Sequence, residues 1–201
     1  MRVALVTGPA IEPITLWELE QHLRIDPDTD VETDLLNGLI TAARLDVEND
    51  TSRKIITQTW DYFPQTWPDN DRLKIPFGNL QTASLAIKYK NSAGAETTLT
   101  LTTDYLIQTN GDQCGFIVLP YGGSWPSATL YPSNPITITF TCGYGATAAS
   151  VPETIKQAIK CRCVASYTNR GDNIIGQTVI EDKTYSRLIN NIPRLYDLEF
   201  L

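Results

Sequence analysis

Apolar residues recur every three or four positions near both ends of the chain, and they alternate with polar residues in the middle. The first period is that of a helix with one buried face, and the second is that of a half-buried strand. The changes of period fall near residues 54 and 150. The pattern therefore predicts a helical pair, a run of strands and a second helical pair.

Two helices are predicted in the first segment, residues 1–54. Thr15-Leu16-Trp17-Glu18 has the spacing of a capping box, in which the Thr hydroxyl and the Glu carboxylate each accept a hydrogen bond from a free amide of the first turn. This helix runs to about Ile25, where Asp26-Pro27 stops it. The apolar face of the second helix is formed by Leu35, Leu36, Leu39, Ile40, Ala43 and Val47.

Residues 55–149 are predicted to form antiparallel strands. They are rich in Thr, Ile, Tyr and Trp and are punctuated by Pro and Gly. The sequence predicts one hairpin from 85–90 to 97–101, a second from 105–107 to 116–119 around Asn110-Gly111, and a strand at 135–140. We expect about five or six strands in a small sheet, sandwich or open barrel.

The last segment, residues 150–201, returns to helical spacing. Ser150-Val151-Pro152-Glu153 predicts a second capping box, followed by a helix to about Tyr167. A polar loop is predicted over residues 172–181, then a short fourth helix that ends before Pro193. Residues 194–201 remain as a tail.

These segments together predict an α+β fold. Residues 1–54 and 150–201 form a discontinuous helical bundle of about four helices, and residues 55–149 form a small inserted antiparallel β domain. Each helical pair has an apolar face that it cannot bury alone, so we expect the two pairs to pack together.

The charge balance narrows the functional classes. The 201 residues carry 16 Lys and Arg against 23 Asp and Glu, a net charge of -7. The deficit lies mainly in the first segment, at -6, against -2 in the second and +1 in the third. A protein that binds DNA by neutralising phosphates needs a surplus of Lys and Arg. With no apolar run near the roughly 20 residues of a membrane helix, we also expect no membrane association.

Candidate catalytic and metal-binding residues are few. His22 is the only histidine, and no Ser or Cys lies in a nucleophile motif. The acids of Asp26-x-Asp28-x-Asp30-x-Glu32 are spaced like the start of a calcium loop, but Val31 and Asn37 replace its Gly and its last Glu. We therefore expect no catalytic residue, metal or cofactor. Hydrolysis by Asp26, Asp28 and Asp30 stays open as a remote alternative.

The cysteines and tryptophans have mainly structural interpretations. Cys114, Cys142, Cys161 and Cys163 follow no C-x-x-C spacing, which favours buried, reduced thiols. Trp67-Pro68 and Trp125-Pro126 lie in predicted loops, where exposed aromatic rings could bind sugars. Core or turn packing is the favoured interpretation of these rings, together with Trp17 and Trp60.

Several phrases in the right order resemble the head-tail connector, or adaptor, proteins of long-tailed bacteriophages and related prophage elements. The resemblance covers nearly the whole chain and departs mainly after Thr168. The phrases are Pro13-Ile14-Thr15-Leu16-Trp17-Glu18-Leu19-Glu20-Gln21-His22-Leu23-Arg24-Ile25-Asp26, Asp34-Leu35-Leu36, Ile40-Thr41-Ala42-Ala43-Arg44, Val47-Glu48, Thr51-Ser52-Arg53, Ile56-Thr57-Gln58-Thr59-Trp60, Cys142-Gly143-Tyr144-Gly145 and Val151-Pro152-Glu153-Thr154-Ile155-Lys156-Gln157-Ala158-Ile159.

The resemblance implies a structural virion protein without enzymatic activity. Family members form a ring, commonly a dodecamer, at the virion neck beneath the portal protein, and they offer a platform to the stopper or tail-completion protein. The subunit is expected in the host cytoplasm during assembly and can be a monomer in isolation. DNA would pass through the lumen without specific binding. Carried onto this chain, the portal-binding residues are Arg194, Leu195, Tyr196, Phe200 and Leu201.

A second function, from a different class, stays open. The Trp and Tyr residues of the predicted loops would suit a carbohydrate- or receptor-binding β module of a virion.

Overall fold

The computed structural model describes residues 2–25, 32–169 and 183–192. These ranges contain four α-helices and eight β-strands, so the predicted α+β class is confirmed. The helices are α1 Leu16–Leu23, α2 Thr33–Thr51, α3 Glu153–Thr168 and α4 Lys183–Asn190. The strands are β1 Val3–Thr7, β2 Gln58–Tyr62, β3 Arg72–Gly78, β4 Leu80–Lys90, β5 Glu96–Thr98, β6 Leu106–Gln108, β7 Cys114–Val118 and β8 Ile136–Cys142.

The chain forms two compact units. The β unit comprises residues 2–9 and 52–144, and the helical unit comprises the described residues of Ala10–Thr51 and of 145–194. The sequence assigned residues 1–54 to the helical segment, whereas the structure places Val3–Thr7 in a sheet of the β unit. Five residues do not by themselves identify a strand whose partner lies more than 50 residues away.

Helix α1 begins as the sequence predicts. The amide of Glu18 donates to Thr15 Oγ1 over 3.2 Å, and the amide of Thr15 donates to Glu18 Oε2 over 2.7 Å, which completes a capping box. The helix ends at Arg24, which adopts a left-handed conformation with φ 58°. Leu19 is fully buried, so this short helix presents an apolar side chain to the interior of its unit.

Helix α3 does not begin with the predicted capping box. Its N-cap is Pro152, and no side chain caps it. Ser150 instead ends a 3-10 turn, Ala148–Ser150, with its hydroxyl 3.2 Å from Thr147 Oγ1. A residue before proline is pushed to an extended conformation, and Val151 has ψ 128°. The helix therefore cannot start before the proline.

In the helical unit, α2 contacts α1, α3 and α4, and α3 contacts α1 and α4. The interior is formed by most of the apolar positions that the sequence predicted, but Leu35 of α2 is 41% exposed and was wrongly placed on the buried face. Its buried apolar residues are Ile14, Leu19, Leu36, Ile40, Ala43, Val47, Val151, Ile155, Ala158, Ile159, Cys163, Tyr185 and Ile192.

The β unit contains a five-stranded sheet in the order β1-β2-β8-β4-β5 and a three-stranded sheet in the order β3-β7-β6. Every pairing within these sheets is antiparallel. Strand β8 lies at the centre of the larger sheet, and Ile136, Ile138 and Phe140 are fully buried. These alternate residues form one face of the strand, as the strict alternation predicted.

Candidate interaction surfaces

The predicted portal-binding residues Arg194, Leu195, Tyr196, Phe200 and Leu201 lie outside the residues that the structure describes. The same holds for Asp26, Asp28 and Asp30. Of that acidic run only Glu32 is described, and its carboxylate accepts a hydrogen bond from the hydroxyl of Tyr167.

Phrases that are far apart in the sequence meet around Arg53 in the β unit. Arg53 is fully buried, and its Nε donates to the carbonyl oxygen of Asp112 over 2.8 Å. Gly143 and Tyr144 lie beside it, since the amide of Tyr144 donates to the carbonyl oxygen of Ile55 over 3.0 Å. Burial raises the pKa of the Tyr144 phenol. We call these residues, Arg53, Ile55, Asp112, Gly143 and Tyr144, the Arg53 cluster.

The Arg53 cluster holds the strand ends of the β unit together. Gln81 Nε2 donates to both Thr57 Oγ1 and the carbonyl oxygen of Gly143 at 3.0 Å. Gly143 has φ 134°, and an added Cβ would lie 2.7 Å from backbone atoms of Ile56. A glycine is required here by close approach of two backbone segments. The phrases Thr51-Ser52-Arg53 and Cys142-Gly143-Tyr144-Gly145 thus contribute to one structural cluster.

Most of the acidic residues that the structure describes in the first segment bond to neighbours in the helical unit. Glu12 accepts hydrogen bonds from Arg44 Nε at 2.8 Å and from Thr41 Oγ1 at 3.0 Å. The buried Glu48 lies 3.4 Å from Arg44 Nη1, and Asp46 Oδ2 lies 3.2 Å from the Nε atom of an arginine in α3, Arg162. Glu12, Asp46 and Glu48 are therefore each paired with an arginine.

The described part of the chain shows no group of side chains arranged as in a catalytic site. His22 is exposed on α1. Within residues 2–25, 32–169 and 183–192, no three His, Cys, Asp or Glu side chains gather as a metal site would require. None of the four cysteines forms a disulfide. No helix in these ranges is long and apolar enough to cross a membrane.

An aromatic cleft in the β unit is a candidate for a binding site. It has a volume of about 750 Å³ and includes Tyr62, Trp67, Lys74 and Phe116 among its lining residues. Trp67 stacks on Trp125 with ring centroids 5.0 Å apart and planes 7° apart. Each ring covers one face of the other, so neither of these two faces is free to stack on a sugar. The pair therefore favours a packing role for Trp67 and Trp125 over carbohydrate binding.

The two outer strands of the five-stranded sheet differ in character. Strand β5 carries only polar side chains, Glu96, Thr97 and Thr98, and Glu96 pairs with Lys88 at 3.0 Å. Strand β1 is apolar at four of five positions and exposed along most of its length. The sequence analysis missed this surface, although the apolar run Val3-Ala4-Leu5-Val6 was its available signal.

Three solved structures that resemble this chain come from gene transfer agent (GTA) particles. A chain in the neck of an empty GTA particle, computed with C6 symmetry, superposes with a TM-score of 0.80 and 22% identity over 99% of this chain and 98% of that one. A chain in the virion of a native GTA particle has a TM-score of 0.78 and 21% identity, over 99% and 98% of the two chains. A chain in the neck of a native particle, computed with C12 symmetry, has a TM-score of 0.77 and 20% identity, with the same coverage.

At 20–22% identity these structures show a shared fold over essentially the whole chain. No curated relative matches the sequence. The family model described as phage gp6-like head-tail connector protein matches residues 13–114, which is half of the chain and includes the capping box, α2 and the Arg53 segment. The chain thus belongs to the phage gp6-like head-tail connector family.

Proposed function

We propose that this connector protein is the adaptor of a virion neck: it forms a ring beneath the portal protein and joins the DNA-filled capsid to the stopper or tail-completion protein. The observation that most supports this proposal is the superposition, over 99% of the chain, on a protein in a GTA neck computed with C12 symmetry. Twelve copies per ring follow from that symmetry if the chain assembles as its structural relative does.

The residues of the family phrases support a structural role for this chain. Arg44 and Arg53 are buried and donate hydrogen bonds within their own units. Gly143 allows the backbone at Ile56 to approach closely. The two arginine side chains therefore stabilise the folded subunit and are not available for catalysis. An adaptor needs such a rigid subunit because its contacts are shared among many copies.

Portal binding is assigned in this proposal to the tail. Arg194, Leu195, Tyr196, Phe200 and Leu201 combine one cation with aromatic and aliphatic anchors, the residue types that dominate protein interfaces. Removing residues 194–201 should abolish portal binding while leaving the folded subunit soluble.

We also propose that DNA passes through the channel of the ring without being bound. The net charge of -7 gives the chain no general affinity for phosphates, and acidic residues facing a lumen would repel a duplex and let it slide. Fluorescence anisotropy with a labelled duplex at physiological salt should detect no binding. Micromolar affinity would contradict this part of the proposal.

Mixing the purified chain with its cognate portal tests the proposed function directly. Negative-stain microscopy should show rings on the portal in the mixture and none with the chain alone. A mixture in which the chain stays a monomer and does not bind the portal would overturn the proposal. The variant without residues 194–201 is the matched control, since it should form no portal-bound rings.

A further inference from the structure

The aromatic cleft of the β unit contains a buried hydrogen-bond donor that no described residue satisfies. Within the described ranges, Nε1 of Trp67 is buried and has no acceptor. The neighbouring indole differs, since Nε1 of Trp125 donates to the carbonyl oxygen of Asn70 over 2.8 Å. Buried indole N–H groups normally find an acceptor. We therefore expect the acceptor for Trp67 to come from a group outside the described residues.

The lining of the cleft defines the chemistry of such a group. Three aromatic rings line it, and its charged side chains are two cations and one acid. These residues are Tyr62, Trp67, Phe116, Arg72, Lys74 and Asp71. In a chain with a net charge of -7, the cleft thus has a local excess of positive charge. It suits an acidic ligand that is rich in hydrogen-bond acceptors and carries aromatic or apolar side chains.

The tail of this chain, residues 194–201, has that chemistry. It combines two aromatic rings with two acids and one cation, which are Tyr196, Phe200, Asp197, Glu199 and Arg194. The segments 26–31 and 170–182, which also lie outside the described residues, contain no aromatic residue. The charge excess of the tail is opposite to that of the cleft, and its carboxylate and carbonyl oxygens can accept from an indole N–H.

We infer that the tail binds in the aromatic cleft of its own chain when the subunit is free. A tethered segment meets its site at a high effective concentration, so a weak contact is sufficient. The same residues bind the portal in the proposed function, on which this step rests, so the cleft and the portal compete for the tail. The cleft then covers Tyr196 and Phe200 until the portal takes the tail.

Cross-linking of the full chain tests where the tail binds. A photo-activated amino acid replaces Leu198, and chain labelled with ¹⁴N is mixed with chain labelled with ¹⁵N in dilute solution before irradiation. We expect cross-links from the tail to residues 62–74 or to Phe116, within single copies. Cross-links that only join different copies or only reach other surfaces would overturn the inference, and so would their absence.

Reversing one charge of the cleft tests its chemistry. Arg72 is exposed on β3, and its Nε lies 3.9 Å from Asp71 Oδ1, so Arg72→Glu should leave the fold intact. We expect this variant to lower the yield of the cleft cross-links at least fivefold. Lys90→Glu is the matched control and should stay within twofold of the unmodified chain, since Lys90 lies on β4 and is not among the described residues that line the cleft.

Circular dichroism verifies that both variants are folded. Equal yields from the two folded variants would overturn the inference. If Arg72→Glu does not fold, the cross-links of the chain with an unmodified cleft decide.

Adding the portal separates this inference from the proposed function. Portal that binds the tail should lower the yield of the cleft cross-links at least fivefold. Bound portal with an unchanged yield would overturn the competition and with it the inference. A portal that does not bind the chain would instead overturn the proposed function, while the cross-links of the free subunit still decide whether the tail binds in the cleft.

Discussion

Arg44 and Glu12 form a close ion pair in the helical unit, with Arg44 Nε 2.8 Å from Glu12 Oε2. The pair joins the segment before α1 to the middle of α2. Arg44 is 5% exposed, and the carboxylate of Glu48 lies on its other side. One guanidinium therefore serves two carboxylates, of which the second is almost completely buried.

Arg44→Met should destabilise the protein by about 3 kcal/mol, because it leaves carboxylates with less compensation in a buried site. Urea denaturation measures the change in the free energy of unfolding. Lys88→Met is the control, since the pair between Lys88 and Glu96 is exposed and should leave the midpoint almost unchanged. Equal effects of the two substitutions would contradict the assigned role of Arg44.

Gly143→Ala should destabilise the protein by more than about 2 kcal/mol, since the new Cβ would collide with backbone atoms 2.7 Å away. Gly111→Ala is the matched control. Gly111 has φ 60° with no atom within 4 Å of an added Cβ, so only the left-handed conformation costs free energy, about 1 kcal/mol. Thermal unfolding of the two variants should rank them in that order, and the reverse order would refute the close approach.

Tyr185→Phe should make stability less sensitive to alkaline pH. Burial, and then the 2.6 Å hydrogen bond from the Tyr185 hydroxyl to Asp50, raise the pKa of this phenol above the usual value of about 10 for tyrosine. The neutral phenol stabilises the folded state fully below that value, and its contribution is lost as pH rises through the higher folded pKa.

The stability difference between the unmodified protein and Tyr185→Phe should be about 1–2 kcal/mol at pH 8 and smaller at about pH 11. Denaturation curves at both pH values measure it. The comparison cancels the titration of the other tyrosines, which both proteins share. A difference that stays constant across this range would contradict the assignment.

The cysteines of α3 should differ sharply in reactivity. Burial raises the pKa of the Cys163 thiol to about 12, and its Sγ lies 3.5 Å from the carbonyl oxygen of Leu39. Cys161 is partly exposed. Iodoacetamide at pH 8 should therefore modify Cys161 first and Cys163 only after unfolding. Peptide mass spectrometry identifies the modified site, and Cys161→Ser provides the control for slow labelling.

The two predicted capping boxes show what local sequence can establish. Thr15 and Glu18 make both expected hydrogen bonds, and nothing between them prevents a helix. Ser150 and Glu153 have the same spacing, but Pro152 forces Val151 into an extended conformation and moves the helix start beyond Ser150. The spacing alone is insufficient when proline stands inside the motif.

The Arg53 cluster could not have been predicted from any single stretch of sequence. Arg53 reaches Asp112, 59 positions away, and Gly143, which follows β8, approaches Ile56, which precedes β2. Each phrase by itself predicts only a strand end or a turn. Strand β1 was missed for a related reason, since its partner β2 is separated from it by the first two helices.

The stacked indoles of Trp67 and Trp125 give the β unit an optical signature of its own. Nearly parallel rings with centroids 5.0 Å apart couple their electronic transitions, which should produce an exciton band in the circular dichroism spectrum. Trp17 lies in the helical unit, and neither its own absorption nor the helical signal reports on this stack. The band would follow unfolding of the β unit separately from loss of helix, so the two units could be observed independently in one sample.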